Sequence, residues 1–246
     1  MVEAGKTTAS FEGAAAAPAL DEARRRRVEE LIEEEEGATN RLSGWLGRFV
    51  LWFAAGVSIL HLYAAAAGAP PFYGTPIIAT YTLRPLHVGL VLALIYMLFP
   101  MLRAWRNRVT PLDWLCATAS LAIVAYIIYQ GPEFGDRAID PEPLDFYVGV
   151  ALIALLLEAA RRSAGWIMPV VALVFIAYAL LGKYLPAPWT HRGYSVERLV
   201  GHLYMTLEGI FGTTVEVSSS LIILFTIFGA ILQYSGAGKF FIDFSF

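Results

Sequence analysis

Apolar residues gather into six runs separated by short polar connections: Phe49–Ala67, Leu86–Leu102, Leu112–Tyr129, Leu144–Ala160, Trp166–Leu181 and Val217–Tyr234. The hydrocarbon layer of a bilayer is about 30 Å thick and takes about 20 residues of apolar helix to cross. Six runs near that length do not share one water-soluble core. The pattern predicts an all-α, polytopic transmembrane protein with about six spans.

One further helix is expected between the fifth and sixth runs, over Ser195–Phe211. Ser195 is a simple N-cap with Glu197 in the first turn, although Arg198 stands where a capping box needs a glutamate. Leu199, Leu203, Thr206, Leu207 and Ile210 fall on one face, and Glu197, Arg198, Gly201 and Glu208 fall largely elsewhere. That amphipathic division predicts a helix lying in the membrane interface. Lying flat, it lets the sixth span return toward the side where the chain starts. The alternative is a seventh crossing.

Composition agrees with a membrane setting. Of the 246 residues 57% are hydrophobic and 16% charged, against about 25% charged in an ordinary soluble domain. The first apolar run begins near Phe49, too far along for a cleavable signal peptide, so it is expected to remain as an anchor. Residues 1–20 are small and polar and predict disorder. Asp21–Glu36 predicts a charged helix, with Arg24–Arg27 ahead of Glu29, Glu30 and Glu33–Glu36. It reads either as a solvated face or as a contact with lipid headgroups or a partner.

The net charge of −3 hides a segregation that sets orientation. Arg41 and Arg48 precede the first span, Arg103, Arg106 and Arg108 link the second and third, and Arg161 and Arg162 close the fourth. If every span crosses once, these share one side, which the positive-inside rule assigns to the cytoplasm. On the other side, 131–143 carries Glu133, Asp136, Asp140 and Glu142 against Arg137, and Gly68–Pro85 carries only Arg84. The expected location is a bacterial or archaeal cytoplasmic membrane, with the N-terminus inside.

Ionisable groups inside spans are the natural functional candidates. Glu158, Arg161 and Arg162 stand three and four residues apart, which makes an intrahelical ion pair the simplest account. His61 has no second metal ligand nearby and is expected to be a hydrogen-bonded interior histidine. Glu208 and Glu216 flank Gly209, Gly212, Thr213 and Thr214. A break of that composition exposes backbone groups to an ion or substrate, or it is a simple reentry turn. Glu208, Glu216, Thr213 and Thr214 are therefore the substrate-binding candidates. Ser218–Ser220 are expected to bond to neighbouring helices.

Other chemistries lack their residues. Cys116 is the single cysteine, so no internal disulfide or multi-cysteine zinc site is expected. The run Gly236-Ala237-Gly238-Lys239 fails as a phosphate loop, because Gln233 replaces its first glycine and Phe240 follows the lysine. HExxH, GxSxG and CxxC are absent, no catalytic residue or metal site is assigned, and the basic clusters follow topology rather than nucleic-acid binding.

The later half carries a family resemblance. It rests on Leu157–Trp166 (LEAARRSAGW), Pro169–Phe175 (PVVALVF), His191–Ser195 (HRGYS), Glu208–Gly212 (EGIFG), Phe228–Leu232 (FGAIL) and Ser235–Asp243 (SGAGKFFID). These resemble the fused permeases of the tripartite ATP-independent periplasmic (TRAP) transporters, of the type paired with TAXI-type binding proteins. The resemblance implies a division of the chain. Residues 1–43 form a cytoplasmic tail, 44–163 a four-helix module like the small membrane subunit, and 164–246 the start of the large, substrate-translocating subunit. The family's ligand-bearing hairpin motif is not among these residues, so the chain is expected to be cut short at Phe246, and no sodium or substrate ligand is assigned. The implied activity is import of an organic acid on a sodium gradient, with no cofactor in this chain. The implied partners are a periplasmic TAXI-type binding protein, the remainder of the large permease domain and the lipid bilayer. Two alternatives are a non-transporting scaffold or accessory subunit, and a membrane-embedded enzyme, which would need clustered catalytic groups.

Overall fold

The computed structural model describes residues 42–102 and 108–237, together with Arg24, Arg27, Phe240 and Phe244. The chain divides into two compact units, Met1–Ala38 and Thr39–Phe246. In the first, Arg24 and Arg27 are helical and exposed. The rest of the charged segment 21–36, the tail 1–20, Arg103, Arg106 and Lys239 lie outside the described residues.

The second unit is built from seven helices among the described residues. They are α1 (Gly44–Ala66), α2 (Thr80–Leu98), α3 (Pro111–Gln130), α4 (Pro143–Ala164), α5 (Ile167–Leu181), α6 (Val196–Met205) and α7 (Thr213–Tyr234). Six of them are long and apolar enough to cross a membrane, α5 with the 3₁₀ turn that extends it to Tyr184. The described residues contain no strand. This is a polytopic helical membrane protein.

Local chemistry sets several boundaries. Thr110 and Asp113 form a reciprocal capping box at the start of α3, and Pro111 occupies the first helical position, where its missing N–H costs nothing. Gly131 ends α3 at φ 76° and Gly165 ends α4 at φ 81°, left-handed backbone that glycine adopts without penalty. Helix α2 starts at Thr80, six residues before the apolar run that predicts it, and carries Pro85 inside. Pro85 has no N–H to donate to the Tyr81 carbonyl, but so near the N-terminus only one ladder bond is lost. The polar start of the helix is buried against protein rather than lipid, which is why hydropathy misses it: Arg84, Pro85 and His87 are all buried.

Successive spans alternate in direction, giving the bundle two ends. At one, the start of α3 and the finish of α4 meet through Asp113 and Arg162; this is termed the arginine end. At the other, the finish of α3 meets the start of α4 through Tyr126 and Asp145; this is the acidic end. The core between them draws on α2 (Leu92, Ala93, Tyr96), α3 (Ala117, Ile123, Ile127), α4 (Leu152, Ala159) and α6 (Tyr204, Met205). Phe211 joins it from the loop after α6.

Helix α6 has ten residues, about 15 Å of helix, half of what a crossing needs. It lies at the acidic end, with Tyr204 stacked edge-on against Phe134 at 5.3 Å. Residues 195–211 therefore do not cross, and α7 starts at the acidic end. The buried face of α6 is Val200, Gly201, Tyr204 and Met205, rotated from the expected leucine face. The reason is glycine. A Cβ on Gly149 of α4 would stand 2.6 Å from Val200 Cγ1 and 2.8 Å from Tyr204 Cδ1, and one on Gly201 would run into the Ala138 carbonyl oxygen. Leu203 and Ile210 instead border an apolar cleft of about 540 Å³ with Leu156, Met168 and Phe175. Outside these contacts α5 buries only Pro169 and α7 only Ser219.

The close approach at Gly201 predicts that Gly201→Ala costs about 1–3 kcal/mol through overpacking against backbone. Gly56, with open space around its missing Cβ, predicts that Gly56→Ala is neutral or slightly stabilising. Thermal unfolding of both variants in detergent checks the contrast.

Candidate functional site: polar groups inside the bundle

Four ionised side chains meet at the arginine end. Glu158 accepts from Arg161 Nε at 2.7 Å and from Arg162 Nε at 2.8 Å, the three- and four-residue spacing within α4. Arg162 then reaches off its own helix. Its Nη1 donates to Asp113 Oδ1 and to the Phe99 carbonyl, and its guanidinium lies 4.8 Å over the Tyr96 ring. Tyr96 itself donates to the Leu155 carbonyl at 2.6 Å. The Arg162 and Asp113 side chains are 1% and 0% exposed. Both Asp113 oxygens are used, Oδ2 by the Thr110 cap and Oδ1 by Arg162. Asp113 is invisible to helix spacing because its partner lies 49 residues away. The available sequence signal is its place in a capping box at the mouth of an apolar run.

At the acidic end Asp145, also fully buried, accepts from the Tyr126 hydroxyl at 2.6 Å, and Gln130 donates to that hydroxyl at 2.7 Å. Arg137 stands 3.5 Å from Asp145 and 2.8 Å from Glu142. The Tyr204 hydroxyl is buried without a hydrogen-bond partner among the described residues. Burial pushes its phenol well above the ordinary tyrosine range, with Tyr126 and Asp145 adding to the effect, so Tyr204 remains a neutral donor. It borders a cavity of about 410 Å³ also lined by Tyr81, Pro85, Phe134, Thr206 and Glu208.

A third group joins α1, α2 and α7. Arg84 Nη2 pairs with Glu216 at 2.6 Å and its Nη1 donates to the Phe211 carbonyl at 3.0 Å. His61 Nε2 lies 2.9 Å from His87 Nδ1, and His87 Nε2 lies 3.1 Å from Ser218 Oγ. His61 and His87 are both buried. Residues Ser218–Ile222 form a π-helical turn inside α7, a local widening often found where a helix carries function.

The four substrate-binding candidates occupy two settings. Glu216 is drawn onto Arg84, whereas Thr213 and Thr214 are exposed on the first turn of α7. Glu208 is exposed at the rim of the 410 Å³ cavity, its backbone N–H bonded to Thr206 Oγ1. Gly209 is there for packing, since a Cβ would strike the Leu203 backbone where the chain doubles back and Ile210 N–H bonds the Leu203 carbonyl at 2.8 Å. Of Ser218–Ser220, Ser219 and Ser220 bond back to the Glu216 carbonyl, and Ser218 reaches another helix. No group of three or more potential metal ligands occurs among the described residues.

These features define a multispanning membrane protein whose polar groups are spent on joining helices. Residues 151–246 match the family model of the tripartite ATP-independent periplasmic transporter, DctM component. The match starts inside α4, so Arg161, Arg162, α5, α6 and α7 fall within it. Nothing among curated proteins or solved structures matches the chain.

The Arg162–Asp113 pair is the contact most sensitive to loss. Asp113→Ala leaves a guanidinium uncompensated in the core and is expected to cost about 3–5 kcal/mol. Glu158→Gln, at a site 29% exposed, should cost less than half as much. Unfolding both variants by SDS titration in mixed micelles reads the difference.

Proposed function

We propose that this chain is a membrane permease component of a TRAP-type secondary transporter, importing an organic acid on an ion gradient. The observation that carries the reading is the match of residues 151–246 to the DctM permease component. The six apolar spans, of which α1–α3 precede the match and α5 and α7 lie within it, support the same reading. In this proposal α1–α4 form a small-subunit-like brace over 44–163, and 164–246 supply the first part of the translocating domain. The brace is held to that part by contacts already in place: Gly149 against Val200 and Tyr204, and Arg84 on Glu216. The partner class is a periplasmic substrate-binding protein, of the TAXI type by sequence resemblance, with sodium as the coupling ion. Glu208 at the cavity rim is the residue we assign to meet a ligand or partner from outside.

Orientation follows from charge. Arg48, Arg108, Arg161 and Arg162 fall at the arginine end, and Glu133, Asp136, Asp140 and Glu142 fall at the acidic end. We place the arginine end and the N-terminus in the cytoplasm.

Deleting the gene from its host should abolish the uptake of at least one radiolabelled carboxylate in a way that depends on a periplasmic binding protein and on sodium. Unchanged uptake across a broad carboxylate panel would overturn the transport reading. Orientation is checked separately in a Cys116→Ala background. Asp140→Cys should react with impermeant maleimide in intact cells, and Arg108→Cys only after lysis.

A further inference from the structure

The contact between α1, α2 and α7 has a direction that its hydrogen bonds determine. His61 Nδ1 lies 2.7 Å from the Val57 carbonyl oxygen. A carbonyl only accepts, so Nδ1 carries a hydrogen. In a neutral ring Nε2 is then bare and must accept, which obliges His87 Nδ1, 2.9 Å away, to carry the next hydrogen. His87 Nε2 is bare in turn and accepts from the Ser218 hydroxyl at 3.1 Å. The chain therefore runs one way, Ser218 to His87 to His61 to Val57, with both histidines in the Nδ1–H form.

This chain has one open place for a proton. The Val57 end is closed by a backbone carbonyl. A proton arriving at His87 Nε2 makes that ring a cation, and its new N–H points at Ser218 Oγ, which switches from donor to acceptor. The displaced hydroxyl hydrogen then turns to the helix's own carbonyls, as Ser219 and Ser220 already do. A second proton on His61 would set N–H against N–H across 2.9 Å and is refused. The pair thus holds one added proton and not two.

The surroundings decide what that proton does. The ionisable groups near the pair are Arg84, one turn earlier on α2, and Glu216, two residues before Ser218 on α7. They already neutralise each other. From α3, the groups packed on this part of α2 at Gly89 are Val124 and the Ser120 backbone, neither ionisable. An imidazolium here is therefore an uncompensated buried cation beside Arg84, which is costly. Water relieves that cost if α7 moves away, and α7 buries only Ser219.

We propose that His61, His87 and Ser218 form a one-proton site whose occupancy releases α7 from α1 and α2. Proton binding and undocking of α7 are then reciprocal by linkage. The site requires no assumption about a transported solute.

The test uses the whole chain in lipid nanodiscs. With ¹⁵N-histidine labelling there are four histidines to assign, His61, His87, His191 and His202. At neutral pH both His61 and His87 should show Nδ1 protonated and Nε2 bare. On acidification the pair should take up a single proton. Backbone amides of Ser218–Ile222, corrected for intrinsic exchange, should lose protection in the wild type and keep it in His87→Gln. An Nε2–H on either ring at neutral pH overturns the proposal, as does uptake of two protons. Equal loss of protection in wild type and His87→Gln overturns the link to α7. Should His87→Gln not fold, wild-type protection of Ser218–Ile222 is followed against the ring titration: loss at the pH of proton uptake supports the link to α7, and protection unchanged across it overturns the link.

Discussion

The bundle depends on a buried ion pair. Arg162 and Asp113 lie out of water at the arginine end, and neither can be left there alone, because an unpaired buried charge costs several kcal/mol. Their pairing locks the last turn of α4 to the first turn of α3, and the bond from Arg162 to the Phe99 carbonyl adds the finish of α2. Three antiparallel spans are thereby held in register at one end. Between lipid-soluble surfaces apolar contact alone gives little preference for one register, since lipid tails compete equally well for leucine.

The acidic end is organised by the same logic with different chemistry. Asp145 Oδ1 accepts from Tyr126 and its Oδ2 is approached by Arg137 at 3.5 Å, which closes the α3–α4 connection. Phe134 from that connection sits between Tyr126 and Tyr204, so the loop becomes the platform on which α6 rests. Gly149 and Gly201 let α6 come close enough to use it. The placement of α6 turns the chain back, and α7 starts beside Arg84. The segment matching the permease component is thus joined to the earlier spans through the apolar core at Leu152, Ala159, Tyr204, Met205 and Phe211 and through polar and glycine-mediated contacts around it.

The α1–α2–α7 junction differs from the other two. Asp113 and Arg162 are enclosed, whereas Glu216 is half exposed and Ser218 sits in a π turn. Helix α7 is thus held by a few directional bonds near one end, with an otherwise open surface.

Much of this was legible in the chain itself. Apolar run length determines the six spans, glycine and proline place their ends, and spacings of three and four residues put Glu158 beside Arg161 and Arg162. These are local properties, set by helix geometry and by the cost of exposing backbone to lipid. Sequence also marks His61 as an interior histidine but not its partner, 26 residues further on. The start of α2 at Thr80, the buried face of α6, and the pairs Asp113–Arg162, Arg84–Glu216 and His87–Ser218 were decided only in the tertiary structure. Each joins residues far apart in the chain, and periodicity along one helix carries no information about which neighbour it will face.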